Sequence, residues 1–286
     1  MNDKMRKRDK ITLAVFVFVS LTAGSFGYLV DQILAEQPEG NSLGMGLWLV
    51  LPFLTSMVMR IINKNMKEMG FRLCFRGNGK WYAVAVLVFP GITLFCGLIA
   101  WITGGLVIGD VEVMALIVLM LSTFLASCIQ SIFEEFAWRG CLVPYLVKTG
   151  MNDWYIYFLS GLVWGVWHIT YYLYFLPEEY FVDTSREMMV VSGIVIMVLW
   201  SPLFVELRRV ADSVWPCVIL HSMQVAVPTL LFVTEKILRM EESHSFILNP
   251  VSGILQPVVI FGLGLQLRKY RLKQQVNKVK CMEVEQ

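Results

Sequence analysis

The sequence is poor in charge. Only 16% of its 286 residues are Asp, Glu, Lys or Arg, against about 25% in an ordinary soluble domain. Hydrophobic residues make up 57%, and the mean hydropathy is +0.63. That deficit excludes a soluble globular enzyme, a disordered chain and a nucleic-acid binder. The net charge is +2, from 24 basic and 22 acidic residues, so no bulk attraction to acidic partners is expected. The six cysteines form no CxxC pair, which leaves no sequence framework for disulfides. HExxH is absent, as is any polar linker between two cores. No long alternation of polar and apolar residues argues for a barrel.

What is present is a series of apolar runs. A helix needs about 20 largely apolar residues to cross a hydrocarbon core about 30 Å thick. Charge-free runs of this order lie at 11–30, 40–59, 81–109, 113–133, 154–177, 188–205, 213–234 and 245–267. They are apolar all round, as lipid-facing helices require. The reading is an all-α, polytopic membrane protein of about eight transmembrane helices, forming a single integral membrane domain over residues 1–286. The first run has a basic start like a signal peptide. It is too long, however, and ILAEQ offers no small-x-small cleavage site, so it reads as an uncleaved first helix.

Charge fixes the expected orientation. Cytoplasmic loops collect Lys and Arg, and 21 of the 24 basic residues fall on alternate loops and the two ends. The N-terminus carries Lys4, Arg6, Lys7, Arg8 and Lys10, and the tail carries Arg268, Lys269, Arg271, Lys273, Lys278 and Lys280. The opposite loops hold Arg186, Lys236 and Arg239 beside acids such as Glu36, Glu39 and Glu179. Both termini are therefore expected in the cytoplasm. The localisation expected is a multi-pass protein of the plasma membrane, with membrane lipid as partner and no nucleic acid.

Ionisable groups at membrane depth are costly and serve as functional candidates. Glu134, Glu135 and Arg139 stand at the inner end of the fourth run, His168 in the fifth and His221 in the seventh. Glu135 and Arg139 are four apart and can pair on one face. Glu134 is turned about 100° away and faces elsewhere. Two carboxylates, an arginine and two imidazoles from three helices make a plausible hydrolytic site, one acid activating water and a histidine orienting it. The bland alternatives are a structural ion pair, histidines that bond between helices, and Trp164 and Trp167 as packing or interfacial anchors. Arg209 and Asp212 read as the solvated edge of a loop, and His244 is given no role.

The blocks EEFAWRGCLVPYL, GLVWGVWHI and DSVWPCVILHS resemble, in order, the three motifs of the CPBP intramembrane proteases, also called the CAAX prenyl protease 2 or Abi family. The resemblance implies a CPBP/Abi-like catalytic core over residues 112–234 of an eight-helix bundle. It implies an intramembrane endopeptidase that hydrolyses a peptide bond of a membrane-associated peptide or a prenylated protein. Glu134 would activate water, Glu135 and Arg139 would hold the local helix, His168 would position the water, and His221 would serve the oxyanion side. A divalent metal such as zinc, if used, would sit on Glu134, His168 and His221. Bacterial relatives are linked to bacteriocin immunity, so a non-enzymatic immunity or scaffold protein stands as the alternative. A proton-linked transporter using the same buried groups is a further one.

Two features cut across the resemblance. The third motif has asparagine four residues after its histidine, and here that place is Val225, with Gln224 one residue earlier. Valine has no donor to offer an oxyanion. The second concerns depth. If the fifth helix starts at Trp154, His168 lies about 21 Å along it, whereas Glu134 stands near the inner interface. The two meet only if the fourth helix is displaced or the fifth starts deeper.

Overall fold

The computed structural model describes residues 6–34, 36–38, 40–181 and 184–284. Lys4 and Glu39, and the side chains of Glu179, Lys278 and Lys280, lie outside the described residues. The chain folds as α1 (Lys7–Ile33), α2 (Leu43–Ile62), α3 (Phe75–Ile102), α4 (Val113–Ala137), α5 (Val143–Lys148), α6 (Asp153–Trp167), α7 (Arg186–Ala211), α8 (Trp215–Gln224), α9 (Glu242–Leu248) and α10 (Leu255–Val284). One antiparallel ribbon, β1 (Leu106–Ile108) with β2 (Leu238–Met240), ties the loop after α3 to the loop before α9. Side chains close several helix starts. Ser42, Asn152 and Ser185 each accept from the backbone N–H three residues on, satisfying a donor that helical bonding leaves free.

Six helices among the described residues are long and apolar enough to cross a membrane. Burial is inverted relative to a soluble protein. Leu94 and Val113 are more than 70% exposed, while Glu135 and Arg139 are fully buried. Apolar side chains face the lipid and the charges face the bundle. The chain is an all-α polytopic membrane protein.

The eight runs are not eight continuous rods. The fourth does not stop at Phe133. It stays helical through a wide π turn at Trp138–Leu142 and on through α5, a rod of 36 residues from Val113 to Lys148. The fifth is the 15-residue α6 followed by a separate π turn at Tyr171–Phe175. The eighth run is broken between Leu248 and Leu255, so α9 and α10 are separate helices.

The longer fourth rod resolves the depth conflict. α4–α5 and α6 run in opposite directions from the loop between Lys148 and Asp153. Glu134 lies about 21 Å from Lys148, and His168 about 22 Å from Asp153, at 1.5 Å per residue. The acid and the imidazole therefore reach equal depth.

Small residues set the helix spacing. A Cβ on Gly161 would lie 2.5 Å from Val198 Cα, and one on Gly165 would lie 2.8 Å from Ile194 Cα. This small-xxx-small face lets the α6 and α7 backbones touch, the close approach that drives helix association in lipid. Gly27 on α1 meets the Gly44 carbonyl of α2 in the same way.

Ion pairs gather at the charge-rich end. Asp153 binds Arg209 (2.7 Å), Arg268 (2.7 Å) and Arg271 (2.8 Å), while Glu206 binds Arg271 at 2.6 Å and Arg209 at 3.2 Å. Arg209 is thus part of a partly buried lattice joining α6, α7 and α10, not the edge of a solvated loop. Asp212 is exposed and pairs with Arg208. Glu68, between α2 and α3, binds Arg60 and Lys148 at 2.6 Å each. At the other end, His244 bonds to Thr103 and Ser243.

Two outcomes test this packing. Gly161→Leu should destabilise the purified protein by about 1–3 kcal/mol through overpacking against α7, read as a lower melting temperature in detergent. Burial acts to raise the Glu68 carboxyl, but Lys148 and Arg60 outweigh it and hold it below its ordinary value of 4.5. The stabilisation from a lowered carboxyl is present above that ordinary value and lost as pH falls through the lowered one. Glu68→Gln should therefore melt earlier than the wild type at neutral pH, and the gap should close on acidification below the ordinary value of 4.5.

Candidate active site

Glu134 and Glu135 share one turn of α4 but face different partners. Glu135, fully buried, accepts from Arg139 Nη1 at 3.0 Å and from His221 Nδ1 at 3.0 Å. Two aromatic rings flank Arg139, its guanidinium carbon 4.1 Å from the Trp164 ring centre and 4.4 Å from that of Phe204. Such a stack suits the weakly hydrated guanidinium and not an ammonium. Glu134 has no cation at ion-pair distance among the described residues. Its Oε2 accepts from Trp164 Nε1 at 3.1 Å, and Gln130 Nε2 approaches Oε1 at 3.5 Å. The adjacent acids thus differ: Glu135 is paired with a cation, and Glu134 is not.

The two histidines are set by their Nδ1 bonds. His168 Nδ1 lies 2.9 Å from the Trp164 carbonyl. A carbonyl only accepts, so Nδ1 carries a proton, and in the neutral ring Nε2 then holds the lone pair. His221 Nδ1 faces the Glu135 carboxylate and donates to it. Neither Nε2 has a protein partner among the described residues, and each ring is 8% exposed. Glu134 is within electrostatic range of both imidazoles. Trp164 lies between them, its ring centre 6.2 Å from His168 and 5.7 Å from His221. Glu134, Glu135, Arg139, His168 and His221 therefore come together from α4, α6 and α8.

Each of these helices widens just beyond its site residue. π-helical turns occupy Trp138–Leu142, Tyr171–Phe175 and Val225–Thr234, three or four residues after Glu135, His168 and His221. A π turn inserts an extra residue and frees backbone carbonyls. At the first, the Arg139 carbonyl accepts from Arg208 Nε at 3.1 Å and the Gly140 carbonyl from Arg60 Nη2 at 2.8 Å. In the sequence, Arg60 and Arg208 stand only among the basic residues of the cytoplasmic loops. Both are buried and brace the acid-bearing helix. Their only sequence signal was their place at the ends of apolar runs.

Gln224 does not fill the place of the missing asparagine, because its Nε2 donates to Thr229 at 2.8 Å. No group of three or more His, Cys, Asp or Glu side chains among the described residues is arranged to hold a metal ion. Glu134, His168 and His221 are near one another without forming a ligand set, and no step below runs through a metal.

The fold and these groups define an all-helical, multi-pass membrane protein with an acid–imidazole cluster buried in its bundle. Residues 114–227 match the family model of Type II CAAX prenyl endopeptidase Rce1-like proteins, the family that the three motifs resemble. Over these residues, from α4 to the wide turn after α8, the chain is similar to that family. No curated protein matches the chain. The family match supports an intramembrane endopeptidase in general terms.

Removing one member of a buried pair leaves an uncompensated charge, at a cost of about 3–5 kcal/mol. Arg139→Ala should lose about that much, and the Glu135→Ala/Arg139→Ala double variant less than the two singles combined. Detergent melts of the three proteins check both.

Proposed function

We propose that the protein is an intramembrane endopeptidase in which Glu134 activates the water that attacks a peptide bond. The observation that carries this reading is the asymmetry of the acid pair. Glu135 is spent on Arg139 and His221, whereas Glu134 holds only the Trp164 N–H and a long contact with Gln130. Glu134 takes a proton from water, and His168 Nε2 accepts the other water O–H and orients it. The water oxygen attacks the scissile carbonyl carbon. With Nδ1–H already bound by Glu135, His221 donates to the oxyanion only through a second proton on Nε2. The carbon–nitrogen bond then breaks, and the proton held by Glu134 passes to the leaving amine. The substrate is a membrane-associated protein or peptide. The name of the matched family makes a prenylated C-terminal peptide the first to try. The charge-rich end is assigned to the cytoplasm, with both termini there, and the plasma membrane is the expected site.

A second reading, a non-enzymatic immunity or scaffold protein, is favoured by Val225 and by the engagement of Gln224 with Thr229. The two diverge on Glu134. Purified protein, Glu134→Gln and His168→Ala are incubated with prenylated and unprenylated membrane peptides, and the fragments are read by mass spectrometry. Cleavage by the wild type should fall by at least about 100-fold in each variant, with melting retained. Normal cleavage by either variant removes that residue from the mechanism. No cleavage by the wild type, with the cellular effect kept by Glu134→Ala, favours the second reading. A chelator arm tests for a bound metal.

A further inference from the structure

Trp164 is buried, 1% exposed, and meets four of the five cluster residues, Glu134, Arg139, His168 and His221. Its Nε1–H donates to Glu134 Oε2 and its carbonyl accepts from His168 Nδ1. Its ring face carries the Arg139 guanidinium, and its edge meets His221. Packing alone explains the ring contacts, but not why the N–H is spent on the carboxylate that lacks a cation. We propose that Trp164 is the positioning residue of the site: its N–H makes Glu134 the water-activating acid of the pair, and its carbonyl fixes the tautomer in which His168 presents an accepting Nε2. The proposal rests on the hydrolytic reading above.

The physical argument is geometric. A glutamate side chain has three rotatable bonds, and a carboxylate in lipid with no cation turns toward whatever donor it can reach. Arg139 is five residues on, one beyond the i,i+4 spacing that pairs it with Glu135 through Nη1. The indole N–H, fixed on a rigid ring packed against Phe204 and Trp200 of α7, takes one oxygen of Glu134. Glu134 is thereby kept out of the ion pair, with its other oxygen turned to the long Gln130 contact. A phenyl ring would preserve the stack under Arg139 and the backbone carbonyl, but not this bond. The chemistry thus calls for an indole at this position, not for any aromatic residue.

The test is Trp164→Phe, with Trp167→Phe as a matched control. Trp167 also donates from a buried indole, but to the Trp48 carbonyl. Trp164→Phe should lower kcat about ten- to hundredfold, as expected for losing a hydrogen bond to a charged group, with KM within twofold of the wild type and melting retained. In a Glu134→Asp background, whose shortened carboxylate already leaves the indole, the same change should cost less than twofold. Trp167→Phe should lower the melting temperature and spare kcat. The inference is overturned if Trp164→Phe keeps the wild-type kcat, if it costs as much in the Glu134→Asp background, or if Trp167→Phe loses kcat equally. If Glu134→Gln itself cleaves normally, the hydrolytic reading fails instead.

Discussion

A charge placed in hydrocarbon must find its counter-charge within the protein. Glu135 does so through Arg139, with the His221 imidazole as second donor. The bond crosses from α4 to α8, so compensating one carboxylate also fixes the relation of two helices. The guanidinium packs on the rings of Trp164 on α6 and Phe204 on α7, which draws two more helices to the same point. Four elements of the bundle are thus located by one acid, and the neighbouring acid can remain unpaired because its surroundings are already held.

The same economy governs the backbone. Carbonyls freed by the wide turn at Trp138–Leu142 lie inside the bundle, where no lipid group can bond them. Arg208 and Arg60 bind them, and both also reach Glu68, Arg208 through its carbonyl and Arg60 through its carboxylate. Glu68 in turn binds Lys148. The acid-bearing rod is therefore anchored to the charge-rich end by a chain of contacts that starts beside the cluster.

Most of the fold class was legible because lipid imposes length and polarity on every spanning segment. The apolar runs located the helices, and i,i+4 spacing gave the Glu135–Arg139 pair. Helix ends were less legible. Phe133 was taken as the end of the fourth helix because charge begins at Glu134, yet those charges are buried by partners from α6 and α8 that no local pattern reveals. The π turns were invisible for the same reason, since no residue preference marks them and tertiary bonds to their freed carbonyls sustain them. The Trp164 N–H bond was hidden behind an ordinary packing reading, because periodicity tells which face a ring occupies and not what its nitrogen meets.

The wide turn at Trp138–Leu142 takes one more residue than regular α spacing would. Removing that residue would restore the regular spacing, leave α4 and α5 facing as they do, and return to the helical ladder the carbonyls that Arg208 and Arg60 now bind. The extra residue is thus what lets the backbone beside the acids recruit two cations from neighbouring segments.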